Sequence, residues 1–202
     1  MLILEIRKLT GRSKRSVIHF EDGEDIVLYS SEVHSLGLFE GDDLPKEEYD
    51  RILEEILLPR AKKRVLHLLE KQDRTRENLL HKLSEGGYPG NVAEEAVSYA
   101  EGFHYVDDER LARNYVAFHQ DKKSRFRIKR DLMSKGVSSE LADVVIDEEY
   151  TASEKDQIIG LLEKKNYDPK TASPKERNSV YRFLVSRGYK TSDVVSALGD
   201  NF

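Results

Sequence analysis

The most concentrated chemistry in the sequence is Lys122-Lys123-Ser124-Arg125-Phe126-Arg127-Ile128-Lys129-Arg130, six cations around a single aromatic ring. Fixed positive charge beside an aromatic face suits a phosphate backbone with a stacked base, or an acidic protein surface. A solvated face, with Phe126 packed on a neighbouring helix, is the third possibility. At 100° per residue, with Ile128 and Leu132 turned to the core, Lys123, Arg127, Arg130 and Ser134 fall on the far side and Phe126 stands beside Arg130. Lys122, Lys123, Arg125, Phe126, Arg127, Lys129 and Arg130 are therefore the candidate contacts for a partner or for DNA. Arg60, Lys62, Lys63 and Arg64 form a second basic stretch and a secondary set of candidates. A third lies on the N-terminal strands at Arg7, Lys8, Arg12, Lys14 and Arg15.

Catalysis finds no such concentration. The chain has no cysteine, which removes disulfides, thiolate metal sites and thiol nucleophiles together. The phosphate-binding loop, the dinucleotide-binding loop and the nucleophile elbow are all missing. His19, His34, His67, His81, His104 and His119 contain no pair three or four residues apart that would grip a metal from one helix face. Glu101-x-x-His104 stands alone where a two-metal bundle needs two such pairs. Asp107-Asp108-Glu109 precedes an apolar helical run, where acidic residues answer exposed amides and the positive end of the helix dipole. The sequence thus predicts a protein that is not an enzyme, with no catalytic residues, cofactor or metal.

The surrounding composition fits a folded, helix-rich chain: 202 residues, 38% hydrophobic and 35% charged, with 5 prolines. No apolar run approaches the ~20 residues that cross a bilayer, and the opening MLILEIRKLTGR is too short for a secretory leader, so a cytoplasmic chain is expected. The net charge of -5 excludes a uniformly basic DNA coat, yet it is the remainder of strong alternating bands. Residues 1–20 carry +4, 21–58 carry -11, 59–76 carry +5, 77–109 carry -7, 110–137 carry +7, 138–157 carry -6 and 158–190 carry +5.

Residues 1–30 read as strands, with Asp22-Gly23 as a hairpin turn between apolar runs and Gly11 ending the first strand. Ser30-Ser31 would cap a short helix ending at Gly37. From Pro45 the periodicity becomes helical, with Pro59 either kinking one helix or opening the next. The chain then repeats itself. Aligning Gly87, Gly136 and Gly188 aligns Leu79, Ile128 and Val180 eight residues earlier and Leu83, Leu132 and Leu184 four residues earlier. Tyr88, Val137 and Tyr189 follow the glycines directly; Ala93, Ala142 and Val194, then Ala96, Val145 and Ala197, then Val97, Ile146 and Leu198 follow further on. A helix stopped by a left-handed glycine, a hydrophobic cap contact and a second helix would produce these columns. An earlier amphipathic run before each pair makes each unit three helices.

The expected fold is mainly α: tandem three-helix units in an elongated, modular body, behind a small N-terminal β-hairpin region. The expected divisions are 1–44 for the hairpin and short helix, 45–104 for the first unit with its lead-in helix, 105–150 for the second and 151–202 for the third. Units of about 50 residues are near the lower limit for an independent core, so they are expected to pack on their neighbours.

Over nearly its whole length the chain resembles the RecX family of RecA recombinase regulators. The resemblance is carried by Ala61-x-x-Arg64-Val65-Leu66-x-Leu68-Leu69, Arg74-Thr75-x-Glu77-x-Leu79-x-x-Lys82-Leu83, Tyr105-Val106-Asp107-Asp108-Glu109-Arg110-Leu111-Ala112-x-x-Tyr115-Val116 and Arg127-Ile128-x-x-Asp131-Leu132-x-x-Lys135-Gly136-Val137. The third unit matches only in periodicity and Gly188. The resemblance implies a monomeric, non-enzymatic regulator acting in recombination, DNA repair and the SOS response. It would bind RecA and its filament on single-stranded DNA, inhibiting filament extension, ATP hydrolysis and strand exchange. Read without it, the residues leave open a direct DNA-binding protein of tandem helix-turn-helix-like units, on single- or double-stranded DNA, with Lys123, Arg125, Arg127 and Arg130 as contacts.

Overall fold

The structure is a computed structural model and describes residues 1–10 and 14–199; Gly11, Arg12 and Asp200 lie outside the described residues. It contains a three-stranded antiparallel sheet followed by helices. The strands β1 (Ile3–Lys8), β2 (Arg15–Phe20) and β3 (Ile26–Tyr29) pair in sequence order, with Ile6 opposite Ile18 and Ile18 opposite Ile26. Ser16, Ile18 and Phe20 alternate inward along β2, as a half-buried strand requires. Gly23 turns β2 into β3 with φ +108°, a conformation that side-chain-bearing residues avoid. The short helix α1 (Ser30–Ser35) starts one residue earlier than a serine cap would allow, because Glu32 reaches back to the Tyr29 amide (2.8 Å).

Pro59 stands in the first turn of a helix, the second of the two places the sequence offers it. The helix α2 (Lys46–Ile52) runs through a π-helical segment, Leu53–Leu57, directly into α3 (Leu58–Leu69). Proline lacks an amide and crowds the carbonyl four residues back, and the wider π turn ahead of it relieves that conflict. The helices α4 (Arg76–Ser84) and α5 (Gly90–Gly102) complete the first three-helix unit. Its Leu79, Leu83, Ala96 and Val97 share one core with Ile18, Ile26 and Leu28 of the sheet. Glu24, in the turn between β2 and β3, accepts the Gly90 amide at the start of α5 (2.7 Å).

The chain divides into two compact units, Met1–Asp107 and Asp108–Phe202. The latter contains two further three-helix sets. One comprises α6 (Asp108–His119), α7 (Arg125–Ser134) and α8 (Ser139–Glu149); the other comprises α9 (Glu154–Lys164), α10 (Pro174–Ser186) and α11 (Thr191–Leu198). Each set has its own apolar cluster, centred on Ile128, Leu132 and Val145 in one and on Ile158, Leu184 and Val194 in the other.

The repeat columns are real in three dimensions. Gly87, Gly136 and Gly188 have φ of +78°, +96° and +87°, and the residue after each returns a hydrogen bond to the leucine carbonyl four residues before the glycine. That bond satisfies a helix-end carbonyl and seats Val137 and Tyr189 in the core. Ala197 is only partly buried, and Ile159, grouped by sequence with the apolar run of α9, stands 49% exposed.

Candidate functional site

The start of α7 is built by Ser124. Its hydroxyl accepts the Arg127 amide (3.2 Å) and donates to the Arg187 carbonyl at the end of α10 (2.7 Å). Ser124 is 1% exposed, so one buried hydroxyl both caps a helix and joins two three-helix sets. Thr75 caps α4 at the equivalent place in the first unit. A chain of polar contacts runs alongside. Tyr150 donates to the Lys123 carbonyl (3.0 Å), Gln157 donates to the Tyr150 hydroxyl (2.9 Å), and Tyr189 donates to the Gln157 side-chain carbonyl (2.9 Å). Burial, with the nearby Tyr150 and Glu154, pushes the Tyr189 hydroxyl up to about 12.

The structure separates the candidate cations into those that hold the fold and those that face water. Lys123 is one of the former. Its ammonium donates to Tyr115 (2.7 Å) and Asp131 (2.9 Å), while Tyr115 also donates to Asp131 (3.0 Å) and Arg127 pairs with its other oxygen (3.1 Å). Burial works to raise the Asp131 carboxyl, but the hydrogen bonds from Lys123 and Tyr115 and the surrounding cations hold it below the ordinary aspartate value. Burial likewise works against the Lys123 charge and is outweighed by the same partners, so its ammonium titrates above the usual lysine range. Lys123 was expected on the outer face of α7, but it precedes Ser124 and so lies outside the helix, where helical angles do not apply.

Arg125 reaches the Ile146 carbonyl and Asp147, both at 3.1 Å, and lies over Tyr150. Lys129 pairs with Asp143 (2.6 Å). Arg113 gathers Glu109, Glu148 and Glu149 within 2.7 Å. Much of the alternating charge in the sequence therefore closes inside each unit, basic helix against acidic third helix. In the first unit Arg60 pairs with Glu32 and covers Tyr29, and Lys62 pairs with Glu95 (3.2 Å) beneath Tyr99.

Phe126, Arg127 and Arg130 on α7 and Lys122 in the turn before it are exposed, with the Arg130 guanidinium 6.0 Å from the centre of the 56%-exposed Phe126 ring. Lys63 and Arg64 are exposed on α3. Arg187, which no repeat column singles out, lies beside the Lys122 and Arg127 side chains. Among the described residues no group of three metal-ligating side chains comes together, and no helix is long and apolar enough to cross a membrane.

Tandem three-helix units with glycine-stopped middle helices define a helical repeat protein whose distinguishing chemistry lies on its surface. Residues 61–99 match the family model for the first three-helix domain of RecX, and 107–146 match that for the second. The chain is 30% identical to the regulatory protein RecX of Caldanaerobacter subterraneus subsp. tengcongensis over 98% of both sequences. It is 28% identical to that of Clostridium tetani, over 96% of this chain and 91% of the relative. In fold it matches a crystal structure of regulatory protein RecX over the full length of both chains, with TM-score 0.64 and 20% identity. RecX from Lactobacillus salivarius matches at TM-score 0.60 and 19% identity, over 70% of this chain and 94% of the other. The chain belongs to the RecX family of regulatory proteins.

Proposed function

We propose that this protein binds the RecA recombinase and its filament on single-stranded DNA, and restrains filament extension, ATP hydrolysis and strand exchange without catalysis of its own. The observation that carries this reading is membership of the RecX family across almost the entire chain. The surface chemistry supports it. Structural ion pairs engage Lys123, Arg125 and Lys129, while Lys122, Arg130 and Phe126, together with Arg127, which stays exposed although it pairs with Asp131, form the outward set on the second three-helix unit. Three cations around an aromatic ring suit an acidic protein groove or a phosphate-lined one, and a nucleoprotein filament offers both. Weak contacts repeated by successive units of one chain reinforce each other through effective concentration.

Co-sedimentation tests the binding step. Filaments of RecA on single-stranded DNA should carry the protein into the pellet in proportion to RecA, and Lys122→Glu combined with Arg130→Glu should leave most of it in the supernatant. Recovery in the supernatant for the unaltered protein, with filaments intact, would overturn the reading.

A further inference from the structure

Within the unit Asp108–Phe202 a cleft of about 360 Å³ lies between the start of α7 and the end of α10. Lys122, Lys123, Ser124 and Arg127 line one side, and Arg187 and Tyr189 line the other; no carboxylate lines it. Asp131 offsets one charge while serving Lys123 and Arg127 together. Lys122 and Arg187 have no carboxylate within ion-pair distance among the described residues. Arg187 instead rests on the Phe183 ring, 3.8 Å from its centre, which fixes the guanidinium without neutralising it. Glu154, near this junction, is engaged on the Arg125 amide (2.7 Å), and Asp121 and Asp156 line the adjoining cleft on the other side of Lys122 without forming an ion pair with it. Four cations against one carboxylate leave about three positive charges converging on one opening, an arrangement that a multiply charged oxyanion relieves. Two guanidinium forks and an ammonium group, those of Arg127, Arg187 and Lys122, match several oxygens of one phosphate better than a single carboxylate.

Phe126 borders the same place. Its ring packs against Gly188, the neighbour of Arg187, while its outer face remains exposed. A phosphate in the cleft with an unpaired base on Phe126 uses both features.

We propose that the cleft is a phosphate-binding subsite for single-stranded nucleic acid, holding one backbone phosphate between Lys122, Arg127 and Arg187 with the adjoining base on Phe126. This reading does not rest on RecA binding, and its test contains no RecA.

A fluorescent single-stranded oligonucleotide, titrated with the full chain across a salt series and followed by anisotropy, tests it. Lys122→Gln with Arg187→Gln should weaken binding at least tenfold and flatten the slope of log affinity against log salt by about 1.4, or ~0.7 per lost contact. Phe126→Leu should weaken binding severalfold with the slope unchanged, because stacking is not a counterion effect. Lys71→Gln, on the exposed turn after α3, should change neither. If the double variant has lost its helical circular dichroism, Lys122→Gln alone, which removes no structural partner, should still flatten the slope by about 0.7. Affinity and slope unchanged in whichever of these variants is folded would overturn the proposal. So would inorganic phosphate shifting the amide resonances of the cleft at constant ionic strength while oligonucleotide binding ignores both variants, since the cleft would then take the free ion.

Discussion

Gly188 presents a bare α-carbon to the Phe126 ring: a side-chain carbon there would stand 2.6 Å from Phe126 Cδ1 and 2.9 Å from Ser124 Oγ. The glycine that stops α10 is thus also a point of close approach between the second and third three-helix sets. Its left-handed backbone and its missing side chain are both required.

Gly188→Ala should therefore cost more than a left-handed glycine with open space around it. Gly37 has φ +64° and nothing within 4 Å of an added carbon, so Gly37→Ala bears only the backbone strain of ~1 to 2 kcal/mol. Gly188→Ala adds the displacement of Phe126 and Ser124, and denaturant unfolding should show a loss larger by ~1 kcal/mol or more.

Leu132 is fully buried in the second core, between Ile128 and Val145. Leu132→Ala should destabilise the chain by ~2 to 5 kcal/mol in the same assay, the range for deleting a large apolar side chain from a close-packed site. A loss below ~1 kcal/mol would mean that this core is not close-packed around Leu132.

Tyr189 gives the chain an alkaline sensitivity. Its hydroxyl is raised from the ordinary 10 to about 12, so between those values the unfolded chain ionises while the folded one stays neutral. The folded state then holds more protons, and stability must fall as pH rises through this window, by ~2 kcal/mol at its upper end. Unfolding free energies measured at successive alkaline pH values should show the fall. Tyr189→Phe should lower stability at neutral pH, by removing the bond to Gln157, and flatten the alkaline decline.

Asp131 acts at the acid end. Its carboxyl is held below the ordinary aspartate value, so its contribution is present above about pH 4 and is lost as pH falls through the lowered value. Asp131→Asn should remove that part of the acid dependence and free two cations, making oligonucleotide binding tighter and more salt-sensitive than in the unaltered protein. Acid titrations of stability and the salt series together check both effects.

The helical core was legible because its signals are local. A stopping glycine, two leucines or their equivalents at fixed offsets and a small-residue stripe lie within one helix pair, and Gly136 and Leu132 do what their spacing predicts. The surface was less so, since whether a cation is exposed depends on partners from elsewhere. Lys123 finds Tyr115 and Asp131 eight residues away on either side, across a helix boundary that periodicity does not mark. Arg125 and Lys129 are drawn to Asp147 and Asp143 on α8. Arg187 gains its significance only from Lys122 and Arg127 across the cleft, 60 or more residues away in sequence. The buried serine and threonine caps Ser124 and Thr75 stand twelve residues before Gly136 and Gly87, and that offset could have exposed them in the sequence.

The outward set on α7 should matter for inhibition rather than for folding. Lys122→Glu and Arg130→Glu together reverse its two cations without an ion-pair partner on Asp131, sparing Lys123 and Arg127, whose replacement would strip Asp131 of a partner. This variant should keep its helical circular dichroism and inhibit RecA at least tenfold more weakly by concentration. Inhibition equal to that of the unaltered protein would remove α7 from the contact surface.

The most direct test is a titration of RecA filaments on single-stranded DNA with the full chain, read as the steady rate of ATP hydrolysis. The rate should fall progressively as the protein is added and approach a low plateau. A rate that stays level up to a large molar excess over RecA would contradict the proposed function.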